Sequence, residues 1–103
     1  MLTIKEAREH LVMDLQGTAD WRRRLATQQP ADTRNIEAAE MLDKLAGEVK
    51  NLDDATFDSY AHLWSDYTNG ETHFEVLRSI GFSCYPATAG QLVKQLIAHR
   101  SIG

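Results

Sequence analysis

Apolar residues recur along this chain at intervals of three and four, and no stretch shows sustained strict alternation. That spacing is the signature of amphipathic helices. The first segment opens with Thr3 followed three residues on by Glu6, a capping box. Ile4, Ala7, Leu11 and Leu15 then form a stripe, with Val12 beside them. Gly17 reads as a stop, and Thr18 as the cap of a second helix whose anchors are Trp21 and Leu25. The alternative is one bent helix from Ile4 to about Gln28, since a lone glycine costs only about 1 kcal/mol; the break is the preferred reading. Pro30 forces Gln29 out of the helical region and limits the segment either way.

The next stripe is the most regular: Ala38, Leu42, Leu45 and Val49, widened by Ala39, Met41 and Ala46, with Asp32 as the expected cap. Asn35 falls on the same stripe, where it could serve as a buried hydrogen-bonding post for the turn after Pro30 or simply as a first-turn residue. Asp53 caps a further helix, with Leu52 and Phe57 placed as a hydrophobic staple. Phe57, Tyr60, Ala61, Trp64 and Tyr67 line its face, and Asn69-Gly70 ends it. Aromatic rings bring the most buried area per residue, so this helix is expected at the centre. Phe74, Leu77 and Ile80 make a short stripe closed by Gly81 and Phe82. Thr88 and Gln91 form a second capping box before Leu92, Val93, Leu96 and Ile97. The expected fold is all-α: a small single-domain bundle of five or six short amphipathic helices spanning residues 1–103.

Charge changes the picture. The net charge is −4, which opposes nonspecific nucleic-acid binding by the whole molecule. Its distribution is uneven. Residues 1–30 carry five basic and four acidic side chains, residues 31–75 three and eleven, and residues 76–103 three and none. An acidic middle between basic ends favours mutual attraction on folding, or a partner that reads one end. The one cysteine, Cys84, has no internal partner and reads as a small buried hydrophobe. With charge by the fifth residue and no long apolar run, neither a secretory signal nor a membrane span is expected, and the expected compartment is a reducing cytoplasm.

The densest candidate chemistry is "DWRRRLATQQP", residues 20–30. At about 100° per residue Arg22, Arg23 and Arg24 fan over about 200° of a helix, so they cannot all face one ligand. Asp20 offers local pairing, and the acidic middle offers more. The expected reading is a solvated face, with Arg24 beside Asp20 the arginine best placed to turn inward. "IGFS" followed by "TAGQL" resembles the outline of a helix-turn-helix, but Gly81 and Thr88 stand too far apart for its three- or four-residue turn. His10 with Asp14, and His62 with Asp66, stand four apart and could together hold a metal between facing helices, although each is also an ordinary surface pair. No glycine-rich phosphate loop, nucleophile elbow or zinc motif is present, and no cofactor is expected.

The leading expectation is therefore a noncatalytic helical domain acting through protein contacts, with a second copy of itself among the partners considered. Met41, Trp64, Tyr67, Phe82 and Tyr85 are the apolar residues expected to exceed what one small core needs, and so to form the interface. One alternative is a nucleic-acid-associated regulator using Arg22, Arg23 and Arg24 together with Lys94 and Arg100 of the last helix. The other is a metal-dependent or small-ligand enzyme built in the bundle core.

Overall fold

Thr3 starts the first helix as its spacing predicts. The Thr3 hydroxyl accepts from the Glu6 amide at 3.1 Å, and the Glu6 carboxylate accepts in turn from the Thr3 amide at 3.4 Å. The structure, a computed structural model, describes residues 3–65, 76–78 and 85–102, with residues 60–65, 97 and 99–102 described by their backbone alone. Within those residues the secondary structure is helical, with no strand. The helices are α1 (Ile4–Gln28), α2 (Arg34–Lys50), α3 (Asp54–Ser65) and α4 (Ala89–Ile102), and residues 76–78 are also helical.

The expected break at Gly17 does not occur: α1 runs unbroken for 25 residues. Thr18 does not cap a new helix but donates its hydroxyl back to the Asp14 carbonyl at 2.7 Å. The reason lies in packing. Leu15, Thr18, Ala19 and Arg22, on both sides of Gly17, are all buried. Keeping these residues on one continuous face packed against the core outweighs the roughly 1 kcal/mol the glycine costs.

At the far end Gln29 donates to the Leu25 carbonyl and Asp32 to that of Gln29, turning the chain back in a short αα-hairpin. The cap of α2 is shared in an unexpected way. Thr33 occupies the cap position but makes no side-chain cap bond. The expected residue, Asp32, does the capping, accepting from the Arg34 amide at 3.0 Å. At the other end of α2, Asn51 and Leu52 donate to the Glu48 and Val49 carbonyls and the Asn51 side chain donates to Gly47, so three terminal carbonyls are satisfied. Asp53 caps α3 through the Thr56 amide at 2.9 Å, and the Thr88 hydroxyl accepts from Gln91 at the start of α4.

The core follows the stripes. Leu11 and Leu15 of α1 meet Leu42, Leu45 and Val49 of α2, all fully buried, with Ala7, Ala19, Ala38, Ala39 and Ala46 letting the backbones approach closely. Phe57, Val76, Leu77, Leu92, Val93 and Leu96 extend the same cluster, and Leu52 packs against it as the staple predicts. Trp21 and Leu25, read from sequence as anchors, are half-buried. Gly81, Phe82 and Cys84 lie outside the described residues, as do Tyr67, Phe74 and Ile80. No helix among the described residues is long and apolar enough to cross a membrane.

Gly47 lies inside α2 with open space where a Cβ would stand. Gly47→Ala is expected to raise the free energy of unfolding by about 0.5–1 kcal/mol, because alanine loses less backbone freedom in a helix. Urea denaturation checks this; an unchanged or lowered midpoint would contradict the account of that site.

Candidate interaction surface

The three consecutive arginines have three different environments, set by helical phase. Arg22 stands four residues from both Thr18 and Ala26, which are buried, and it is buried with them at 5% exposure. Arg23 is exposed and bridges Asp20, at 3.0 Å, and Asp43 of α2, which hold its guanidinium more firmly protonated than usual, the Asp43 hydrogen bond first. Arg24 is exposed and forms no ion pair among the described residues. The expectation that Arg24 turns inward beside Asp20 is thus corrected twice. Arg22 is the inward one, and Arg23 takes Asp20. Arg24 projects about 200° around the helix from Arg22, away from the α2 seam.

A buried guanidinium needs acceptors and polarisable surfaces in place of water. Arg22 Nη1 donates to Asn35 Oδ1 in a long contact of 3.4 Å, and Nη2 donates to Tyr85 Oη at 3.2 Å. Tyr85 Oη passes the chain on, donating to the Leu77 carbonyl at 2.8 Å. The Arg22 guanidinium lies over the Trp21 ring, 4.7 Å from its centroid, and 5.7 Å from that of Tyr85. Arg78 stacks over the same Trp21 ring at 4.5 Å. Such cation–π contacts stabilise more strongly where water is excluded. Asn35 is accordingly a buried post, as its place on the stripe allows, but for Arg22 rather than for the turn after Pro30. The cluster joins α1, α2, residues 76–78 and the segment before α4.

This arrangement removes two residues from the surfaces expected of them. Tyr85 is buried and hydrogen-bonded within the cluster, so it is no interface residue. Arg22 is withdrawn from any basic grip. Of the other interface candidates Met41 is exposed on α2, while Tyr67, Phe82 and the Trp64 side chain lie outside what is described. Lys94 is exposed on α4, and the Arg100 side chain is not described. His10 is exposed and Asp14 half-buried on α1; the His62 side chain and Asp66 are not described, and the described residues hold no group of three metal-ligating side chains.

The most exposed large apolar side chain among the described residues is one that stripe-reading passed over: Met13, 66% exposed on α1. It borders a groove of about 370 Å³ between the first turns of α1 and the end of α2, lined by Lys5, Arg8, Glu9, Val12, Met13 and Lys50. Arg8 is fixed there. It donates to the Leu52 carbonyl at 3.2 Å, pairs with Asp54 at 2.5 Å and lies over the Phe57 ring at 5.3 Å. A second groove, of about 420 Å³, runs beside Ala26, Pro30 and the exposed Ile36, with Arg23 and Asp32 at its edge. A wider recess lies where α2 ends and α4 begins, lined by Lys44, Glu48 and Gly90 among others. Met13 could have been found from sequence. It falls about 160° from Leu11 and Leu15 on either reckoning of the stripe, where a solvent-facing residue is ordinarily polar.

The chain matches no protein-family profile, no curated protein and no solved structure.

Two outcomes follow from the geometry of the caps and of the Arg22 cluster, which clamps α1 to α2 and to Tyr85. Tyr85→Phe strands the buried Leu77 carbonyl and is expected to cost about 1–3 kcal/mol, whereas Asn35→Ala removes only a long hydrogen bond and should cost about 1 kcal/mol. In an Arg22→Met background the Asn35→Ala cost should shrink, and urea titrations of the double-mutant cycle measure that coupling. Equal costs in the two backgrounds would mean that Asn35 does not serve Arg22. The second outcome concerns acid. Hydrogen bonds from the Arg34 side chain and amide lower the Asp32 carboxyl to about 2, and the Thr56 amide and hydroxyl lower that of Asp53. Both folded values lie below the unfolded ones, so these caps stabilise fully above about pH 4 and lose their contribution as pH falls toward about 2. Asp32→Ala with Asp53→Ala should flatten the fall of stability across that window in a pH series of denaturation curves; an unaltered slope would refute the assignment.

Proposed function

We propose that this chain is a noncatalytic helical domain acting through protein contacts, with the groove bordered by Met13 as its contact face. The observation that carries the reading is Met13 itself, two-thirds exposed beside a groove whose wall includes the buried Val12. A large apolar side chain at the mouth of an apolar groove gains by being covered. Methionine's flexible, polarisable thioether suits it to a partner surface. The fate of the arginines supports contacts over a nucleic-acid grip: Arg22 is internal and Arg23 is neutralised by Asp20 and Asp43. The single cysteine suits a reducing cytoplasm as the place of action.

A display library of random 16-residue segments, panned on the wild type and counter-selected on Met13→Glu, tests the reading, with circular dichroism confirming that both are folded. The expected result is a set of segments that the substitution weakens at least tenfold. Light scattering over a range of concentrations covers a second copy as partner, and a dimer dissolved by Met13→Glu would equally support the reading. A monomer that captures no Met13-dependent segment would overturn it.

A further inference from the structure

The groove beside Met13 has an uneven electrostatic character for a molecule of net charge −4. Its lining carries Lys5, Arg8 and Lys50 against the single acid Glu9. Arg8 is already held by Asp54 and the Leu52 carbonyl. Lys5 and Lys50 are exposed, and neither they nor Glu9 form an ion pair among the described residues. Lys50 also sits in the last turn of α2, where a cation favours the helix dipole while its ammonium stays in water. The lysine and arginine stems supply apolar wall while their charges stand at the rim. The result is an apolar slot, with Val12 and Met13, edged by two ammonium groups that have no counter-ion among the described residues. Most of the chain's acidic charge falls in residues 31–75, whereas the lining of this groove carries three cations against one acid and attracts an acidic partner.

Resting on the contact reading above, we propose that the groove takes an acidic amphipathic helix from another protein. Its apolar side chains would fill the slot beside Met13, and its carboxylates would pair with Lys5 and Lys50. The helical form follows from the wall. This face is built from α1 and α2, whose backbone groups are satisfied within their own helices, so it offers no sheet edge to an extended strand. A helix brings its backbone hydrogen bonds with it and presents anchors at i, i+3 and i+4. A groove of about 370 Å³ accommodates a few such side chains, at the low end of the roughly 300–1,000 Å³ typical of ligand sites. Because the cations are exposed lysines, the attraction acts at a distance and is screened by salt.

The segments selected in the panning described above serve as the probe. They should be enriched in Asp and Glu flanking apolar residues at helical spacing. Synthesised with a fluorescent label, they should lose at least tenfold in affinity by anisotropy to Lys5→Glu with Lys50→Glu, lose less to the paired glutamine substitutions, and weaken between 50 and 300 mM salt. Circular dichroism of the variants controls for folding, which these exposed side chains should leave intact. Met13-dependent segments with neutral or basic composition would overturn the proposal while leaving the contact reading in place. So would charge reversal without effect or a Met13-dependent homodimer. Absence of any Met13-dependent segment or dimer would fell both.

Discussion

The seam between α1 and α2 is the constraint on which the described structure depends. Leu11, Leu15, Leu42, Leu45 and Val49 are removed from water along it, and alanines on both helices keep the axes close. That continuous burial carries α1 through Gly17 and sets which face of each helix is inward. Once the phase is fixed, the fate of each remaining side chain follows from its angle to the seam. Arg22 lies on the seam side, Arg23 at its edge and Arg24 behind it, so three identical residues become a clamp, a surface bridge and an exposed cation with no ion pair among the described residues.

The clamp illustrates how a buried cation can be held by partners that are individually modest. Asn35 contributes an amide oxygen at a long distance, Tyr85 a phenol that is itself anchored to Leu77, and Trp21 the face of its ring. None of these is a strong contact alone. Together they engage a guanidinium whose removal would leave an amide and a phenol without a donor in a dry place, and that asymmetry makes such networks costly to break once made. They also draw parts of the chain distant in sequence to one point, since Tyr85 is 63 residues from Arg22.

What the sequence revealed depended on the range of the interactions involved. The caps at Thr3, Asp53 and Thr88 involve residues three apart and were legible, and Asp32 caps α2 even though the helix begins one residue later than expected. The apolar stripes of α1 and α2 were legible for the same reason, and the all-α class with them. At Gly17 local propensity favours a stop, and only the partner helix, distant in sequence, overrides it. Among the arginines, Asp20 drew attention to Arg24 by spacing, when the phase of Thr18 and Ala26 already pointed to Arg22. Tyr85 carried no sequence sign of its partner, because Arg22 reaches it from another helix. Met13 lies opposite the stripe, so the periodicity that marks the core face carries no sign of it.

The two ends of the α1–α2 pair therefore divide the work. At the hairpin end, Arg22, Asn35 and Tyr85 spend their polar groups inside the molecule, and little of their charge is left for a partner. At the other end Arg8 takes the corresponding structural role, tying α1 to the start of α3 through Leu52, Asp54 and Phe57. Arg8 fixes that corner, while Lys5, Met13 and Lys50 stand exposed around it, Lys50 adding only its charge at the end of α2. Residues relieved of structural duty, on a rim whose geometry is held by a neighbour, can be shaped by a partner without cost to the fold. The same separation means that substitutions at Met13, Lys5 and Lys50 test the proposed contact, while those at Arg22, Asn35 and Tyr85 report on stability.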